Sequence, residues 1–437
     1  MNFLQIGARL CALTIGAFLL SFSLFMSASS AADLGSSCCA DLEERVAELE
    51  ATSVRKGNRN VSLQIYGQVN RALLAWDDGF DRDAYVVDND TSSTRIGLIG
   101  EAKMKPGWFT GYRVELEFKD ASSNDVSNGN DEGLTDMELR IRHSYWYIES
   151  EKLGRVSVGQ QSPATDDITI INLGAQMSDA ALHYNNNFGL RLNLFFGLTT
   201  DLTWADFAHS VDALRGDFVR YDSPAIYGFV LSAAAGENDV WDVALRYQAD
   251  WNSIKVAAGV GYMDSNEADL SDVRGSASMM HTPTGLYLSV AGGIRDDRSG
   301  VVGSGDDARF YFAQLGLKRQ FLPYGHTTIY GEVGTYKDYT VGRLLQADLA
   351  EDQGYANWGK VTDSEVRRWG AGVEQSFDSA ATILYAQYHH YEADLAGTPM
   401  PTVPGGPFGP VQSLPVEPWE AVVVEQGCNS SDVGLLA

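Results

Sequence analysis

Residues 113–119 have the sequence Arg113-Val-Glu-Leu-Glu-Phe-Lys119, in which charged and apolar side chains alternate without a break. The same period of two continues through Asp242–Trp251 and through Ser253–Met263. Successive side chains of a β-strand point to opposite faces of the sheet. Each stretch therefore predicts a strand with one apolar face and one polar face.

Strands of this kind recur from Val61 onward, separated by turn-rich segments such as Asp264–Glu267 and Asp296–Gly300. We predict that they form one domain, with no boundary after residue 60. The further predicted strands are residues 62–75, 94–103, 138–148, 155–160, 190–198, 217–222, 226–235, 284–293, 309–320, 327–336, 365–377 and 381–391.

A soluble β-sandwich also alternates, but three features favour a transmembrane barrel. The polar faces are densely charged and include small glycines, which would leave room for water. The apolar faces end in aromatic residues such as Trp251, Tyr262 and Trp369, where a membrane barrel carries its interfacial girdles. The third feature is an export signal without a helical anchor. The sequence therefore predicts an all-β transmembrane barrel.

The amino terminus carries that export signal. Residues 1–32 contain a single charge, Arg9, followed by an apolar run from Leu10 to Phe25 and a small-residue stretch that ends at Ala32. This order is typical of a cleaved signal peptide, and an uncleaved anchor is the alternative. After Ala32 we find no apolar run of the roughly 18 residues that a membrane-spanning helix needs.

Residues 33–60 are predicted as a short helical collar and a polar linker. Within them Leu42, Val46 and Leu49 are spaced four and three apart, as in a coiled-coil seam. A helix this short is not stable by itself in water. The segment is therefore either an N-terminal coiled-coil collar in an oligomer or a frayed helix before the barrel.

The composition excludes some partners and scaffolds. The formal net charge is −26, and polyphosphate recognition requires a basic surface, so we predict no nucleic-acid partner. Four cysteines in 437 residues are too few for a disulfide scaffold.

The sequence also contains no pattern typical of an enzyme. Neither G-x-S-x-G nor H-E-x-x-H occurs in it. His389 and His390 are adjacent on a predicted strand, so they face opposite sides and cannot serve one site. We predict that the protein is not an enzyme and has no cofactor and no metal.

Asp77–Asp90 holds six aspartates and leaves one alternative open. Hard cations favour oxygen ligands, although the spacing does not follow the D-x-D-x-D-G pattern. The alternative is a non-conducting outer-membrane structural or adhesive protein that binds calcium. As a solvated acidic loop, the same segment would still contact lipopolysaccharide through divalent ions.

Several stretches, taken in order, resemble the trimeric general porins, and in particular the alphaproteobacterial porins. They are Cys38–Glu50, Val61–Asn70, Ser93–Leu98, Gly154–Pro163 and Arg220–Pro224. The resemblance implies a 16-stranded antiparallel transmembrane β-barrel over residues 61–424. It also implies a homotrimer among outer-membrane lipids and lipopolysaccharide, and a passive, water-filled channel for small hydrophilic solutes and ions.

The resemblance further implies a charged constriction, or eyelet, formed by the third loop and the wall that faces it. The loop, about residues 162–186, would fold into the barrel and contribute Asp166, Asp167 and Asp179. Opposed charges between low-dielectric walls act strongly on a passing solute. The ion preference stays open, because the negative net charge of the chain favours cations whereas a basic cluster in the pore favours anions.

That basic cluster is expected at Arg95 and Arg142, with Arg113 and Arg140 as neighbours. Alternation places Arg140 and Arg142 on one face, together with Ser144. The alternative is that these arginines are ordinary solvated residues of the lumen with no special role.

The carboxyl terminus departs from the resemblance. Pro418–Val424 begins a strand, whereas residues 425–437 are polar and lack an aromatic end. We predict an aberrant tail after Val424, which leaves the closing strand unpaired or impairs assembly.

Overall fold

The computed structural model describes residues 61–133, 138–177, 190–194, 198–208, 215–237, 239–266, 269–298, 307–348, 355–399, 414–415 and 419–429. These residues belong to one structural unit of the chain, Arg55–Ala437, and the other unit is Met1–Val54. The predicted signal peptide (1–32), collar and linker (33–60), Asp179 and the last residues of the tail (430–437) lie outside the described residues.

The described chain is all-β, and its only helices are single short 3-10 turns at Asp90–Ser92, Trp204–Ala208 and Asp378–Ala380. The strands are β1 (Val61–Asp77), β2 (Arg82–Asp88), β3 (Arg95–Lys105), β4 (Trp108–Lys119), β5 (Glu138–Ser150), β6 (Gly154–Gln161), β7 (Arg191–Leu194), β8 (Leu198–Thr203), β9 (Gly216–Asp222), β10 (Phe229–Gly236), β11 (Val240–Trp251), β12 (Ile254–Ser265), β13 (Leu270–His281), β14 (Leu286–Asp297), β15 (Ala308–Leu322), β16 (Gly325–Lys337), β17 (Leu344–Asp348), β18 (Tyr355–Phe377), β19 (Thr382–Pro399), β20 (Leu414–Pro415) and β21 (Trp419–Asn429). Among the described residues no helix is long and apolar enough to cross a membrane.

Neighbouring strands pair antiparallel in one large sheet. From β1 the pairing follows the chain through β3, β4, β5 and β6, and it continues from β6 to β9. It then runs from β9 to β16, and on through β18, β19 and β21. β21 pairs with β19 along one edge and with β1 along the other. The last strand of the described chain is thus hydrogen-bonded to the first.

The connections differ between the two ends of the sheet. At one end they are tight turns, and at the other end they include long segments such as residues 162–215. Gly285 shows what a tight turn requires: its φ is 76°, and a Cβ added there would lie 1.9 Å from the carbonyl oxygen of Lys318. Only glycine adopts this conformation without strain or clash. Short turns on one side and long loops on the other are typical of outer-membrane barrels.

The polarity of the sheet is inverted relative to a soluble protein. The carboxylates Glu115 and Glu117 on β4 are buried, whereas Ile141 and Trp146 on β5 are 58% and 50% exposed. Large apolar side chains stand exposed on strands throughout the sheet. A sheet with lipid on one side and polar groups on the other has this pattern. The predicted alternation is therefore confirmed.

Residues 190–198 are predicted as a strand of the large sheet, but their described part, residues 190–194 and 198, does not join the ring of paired strands that starts at β1. Arg191–Leu194 forms β7, whose partner among the described strands is β8, in a small hairpin. Leu190 and Leu192 alternate because they pack into a core with other strands. Every second residue is buried in a packed hairpin as well as in a large sheet. The alternation in the sequence is therefore compatible with both arrangements.

The closing strand also differs from the prediction. β21 continues to Asn429, past the predicted end at Val424, and it is paired on both edges. Strand pairing uses backbone N–H and C=O groups, which the polar residues 425–429 still supply. The predicted unpaired closing strand is therefore wrong for Trp419–Asn429.

Candidate functional site

Three of the predicted basic residues converge on one buried carboxylate, Glu115. Arg113 Nη2 lies 2.6 Å from its Oε2, Arg142 Nε lies 2.8 Å from its Oε1, and Arg95 Nη1 lies 4.0 Å from Oε1. The hydroxyl of Tyr66 donates a hydrogen bond to Oε2 at 2.5 Å. The arginines come from three neighbouring strands, β3, β4 and β5. Charge-assisted hydrogen bonds to Glu115 fix the guanidinium groups of Arg113 and Arg142 in place, whereas Arg95 donates hydrogen bonds to Gln68 and Ser92.

A β-bulge on β5 brings Arg142 into this group. The pairing register shifts between Glu115 and Leu116, and Arg142 is the extra residue on the facing strand. As a result Arg142 and the adjacent His143 both reach Glu115, at 2.8 and 4.0 Å. A bulge reverses the alternation beyond it. The predicted common face for Arg142 and Ser144 is therefore wrong, and Ser144 lies on the exposed side.

Arg140 does not join this group. It pairs with Glu138 at 2.7 Å, and the two side chains are 47% and 50% exposed. Glu117 is the second carboxylate of the wall, and it lies 3.5 Å from Arg142 and 3.6 Å from Lys119. We use the name wall cluster for Arg95, Arg113, Arg142, Glu115 and Glu117.

The loop after β6 lies against the inner, polar face of distant strands, and two buried carboxylates anchor its described part, residues 162–177. Asp242 on β11 accepts hydrogen bonds from two successive loop amides and from the Thr165 hydroxyl, at 2.6–3.1 Å. At the other end, Glu374 on β18 accepts from the amides of residues 176–177 at 2.9–3.1 Å. Both carboxylates are buried.

Between these anchors the loop follows serines of β13. Ser276 Oγ donates to a loop carbonyl at 2.7 Å, and Ser278 Oγ accepts from the Leu173 amide at 3.0 Å. Gly174 then passes over the ring of Tyr287, where a Cβ would lie only 2.1 Å from the ring. The loop is therefore held along the wall from β11 to β18.

Asp166 and Asp167 lie in the first turn of this loop, close to Arg215. Arg215 Nη2 is 3.4 Å from Asp166 Oδ2. Burial lowers the pKa of Arg215, but Asp166, Asp167, Glu115 and Glu117 around it raise that pKa overall. The neighbouring Asp166 carboxylate raises the pKa of Asp167. Arg215 is thus in electrostatic reach of both the loop acids and the wall cluster.

Sequence reasoning missed Arg215. Its only sequence signal is its place just before the strand predicted at 217–222. A loop residue has no alternation to indicate which way it points, so its direction follows only from the loop's contacts.

The adjacent histidines face opposite sides, as predicted. His389 Nε2 lies 3.1 Å from Glu332 Oε1, and that carboxylate is also paired with Arg368. The ring of His390 instead lies 5.3 Å from that of Trp369, which stands exposed on the other face. Within the described ranges, no three His, Cys, Asp or Glu side chains are grouped closely enough to hold a metal ion.

An exposed apolar face, a buried polar face and a charged loop laid against that polar face define the class of outer-membrane channel proteins. The chain belongs to the Gram-negative porin family, whose model matches residues 17–396. The predicted porin family is thereby confirmed, and the outer membrane is its location. The alphaproteobacterial subfamily stays a prediction.

Two solved structures illustrate the fold. One is an anion-selective porin from Comamonas acidovorans, with 14% identity, coverage of 84% of this chain and 99% of that chain, and a TM-score of 0.51. The other is the outer-membrane expressed OmpT of Vibrio cholerae, with 15% identity, coverage of 85% and 99%, and a TM-score of 0.50. At such identities the likeness concerns the fold alone. No curated protein matches the sequence.

Proposed function

We propose that the chain forms a closed, 16-stranded barrel and acts as a passive, water-filled channel for small hydrophilic solutes and ions. The observation that carries this proposal is the ring of pairings that starts at β1 and returns to it through β21. Its members are β1, β3–β6, β9–β16, β18, β19 and β21. Closure leaves no sheet edge with unpaired backbone groups, which hydrocarbon could not satisfy.

The eyelet in this proposal consists of the wall cluster, the two loop acids and Arg215. It combines four guanidinium groups with four carboxylates: Arg95, Arg113, Arg142 and Arg215, and Glu115, Glu117, Asp166 and Asp167. Charges of both signs in one narrow passage set a strong local field. Because their numbers are equal, we expect weak ion selectivity together with orientation of dipolar solutes.

We further propose a homotrimer with one pore per chain, surrounded by outer-membrane lipids and lipopolysaccharide, and a signal peptide that is removed on export. The protein performs no catalysis in this proposal and requires no cofactor. Membership of the porin family supports these features.

Single-channel recording in a planar lipid bilayer with a salt gradient tests the channel. We expect stepwise ohmic currents that close in three equal levels, and a small reversal potential. Well-folded protein that never conducts would refute the proposal, and closure in a single level would refute the trimer.

The eyelet is tested by a matched pair of variants in the same recording. Arg142→Ala removes a cation from the wall cluster, so we expect the reversal potential to shift toward cation preference. Arg140→Ala removes the same chemical group from an exposed pair, and we expect no shift. Equal shifts for the two variants would show that position in the cluster has no effect.

A further inference from the structure

The inner face of the sheet changes character along a group of neighbouring strands. On β1 the buried inner residue Asn70 is followed, toward the long-loop end, by Trp76. On β19 the buried Gln387 is likewise followed by Tyr391 and Leu395. The same order, polar near the tight turns and apolar near the long loops, holds on β15. Apolar side chains do not line water stably, so the apolar half requires a cover.

The cover is the segment that the sequence pattern suggested as a strand of the sheet. We use the name luminal hairpin for residues 190–194 and 198–208, which contain β7, β8 and the 3-10 turn after them. Its core residues, each at most 1% exposed, are Leu190, Leu192, Leu202, Trp204 and Phe207. They form one apolar cluster with inner residues of β1, β2, β14–β16, β18 and β19. The rings of Trp204 and Tyr391 lie 5.0 Å apart.

Polar contacts hold the edges of the luminal hairpin. Asp206 pairs with Arg343, which precedes β17. Thr200 is bridged to β17 by backbone pairing. On the other edge, the Arg191 amide donates to Asn128 Oδ1 at 2.8 Å, in the loop after β4. The hairpin is therefore attached to parts of the chain on both sides of it.

We propose that the luminal hairpin is an apolar plug, which fills the long-loop half of the lumen beside β14–β19 and β1–β2 and so sets the size limit of the channel. This inference rests on the proposed channel function. Among the described residues, none on the strands β3, β4, β5 and β6 belongs to the apolar cluster, although the cluster includes Val126 in the loop between β4 and β5. The path left open runs along those strands, and every solute that takes it meets the wall cluster.

Removing the plug should enlarge the channel. In a variant with residues 190–208 replaced by a short glycine–serine linker, we expect single-channel conductance to rise about twofold, because barrels of this strand number otherwise enclose a wide aqueous channel. Liposome swelling should show entry of larger sugars than in the unmodified protein. Heat-modifiable electrophoretic mobility reports whether the variant has folded. A folded variant with unchanged conductance and size limit overturns the plug.

A matched pair of substitutions separates the plug from a general effect of lost tryptophan. Trp204→Ala removes a ring from the plug, whereas Trp146→Ala removes a ring from the exposed face of β5. We expect conductance to increase for Trp204→Ala and to stay unchanged for Trp146→Ala. Equal conductance in the two variants contradicts the inference. Absence of any current in the unmodified protein refutes the channel function itself.

A cross-link tests the plug without removing it, should the deletion variant not fold. Thr200 and Ala347 are opposite each other in the antiparallel pairing of β8 and β17, and directly opposed residues of antiparallel strands have Cα separations that a disulfide can bridge. With Cys38, Cys39 and Cys428 changed to serine, Thr200→Cys with Ala347→Cys should cross-link on oxidation and conduct as before. Loss of current on oxidation, or failure of the cross-link to form, would show that the hairpin leaves this position in the conducting channel.

Discussion

Replacing Glu115 by glutamine should weaken the whole barrel wall. Glu115 is 1% exposed, and guanidinium nitrogens of Arg113 and Arg142 lie 2.6 and 2.8 Å from its oxygens. A charge pair at this distance is worth about 6 kcal/mol at an effective dielectric constant of about 20, before desolvation. Breaking a buried ion pair by removing one partner has a net cost of about 3–5 kcal/mol. A glutamine amide also directs N–H donors at guanidinium groups that have no acceptor. We expect the free energy of unfolding to fall by about 3–5 kcal/mol.

Urea unfolding of the refolded protein in detergent micelles, followed by tryptophan fluorescence, measures this change. Glu138→Gln is the matched control, because its pair with Arg140 is half exposed, and we expect it to unfold at the midpoint of the unmodified protein. A solvent-exposed ion pair is worth less than about 1 kcal/mol. If Glu115→Gln lowers the free energy of unfolding by no more than that, water solvates the arginines, and their convergence on Glu115 does not stabilise the wall.

Two further perturbations test the third loop. Because the neighbouring Asp166 carboxylate raises the pKa of Asp167, acidification should protonate Asp167 already above the ordinary aspartate value of about 3.9. The loop then loses a negative charge, and the reversal potential moves toward anion preference. Asp167→Asn should lack this step in the same salt gradient, and a step that persists in the variant would assign it to another group. Asp242→Ala leaves the loop amides and the Thr165 hydroxyl without their acceptor, at about 1–3 kcal/mol for each unpaired group. We expect noisier open-channel current, and a quiet variant channel would contradict the anchoring role.

The sequence predicts the faces of the strands because alternation depends only on residues within one strand. In residues 113–119 that suffices to place every side chain. The bulge on β5 is different, because it is defined by the pairing of Glu115 and Leu116 with the next strand. The sequence does hold one sign of it, since the exposed apolar positions change from odd (Ile141) to even (Trp146) numbers.

The placement of residues 190–198 and of the site residues depends on tertiary contacts. Residues 190–198 alternate like a strand of the large sheet, yet alternation does not say which surface buries the apolar residues. The answer lies in the apolar inner half of strands such as β15 and β19, which are more than 100 residues away in the chain. For the candidate site, the structure places Arg95, Arg113 and Arg142 around Glu115. The positions of Arg140 and Arg215 depend on local contacts that no motif specifies.

Because Arg142 is the extra residue of the bulge on β5, the pairing register of β4 and β5 does not depend on it. In a regular strand, gain or loss of a single codon turns every later side chain to the other face. Here deletion of Arg142 would instead restore one-to-one pairing between β4 and β5, with Ile141 and His143 still on their present sides. A single-codon deletion at Arg142 would therefore remove one positive charge from the inner face of β5 and leave the exposed face of the strand unchanged.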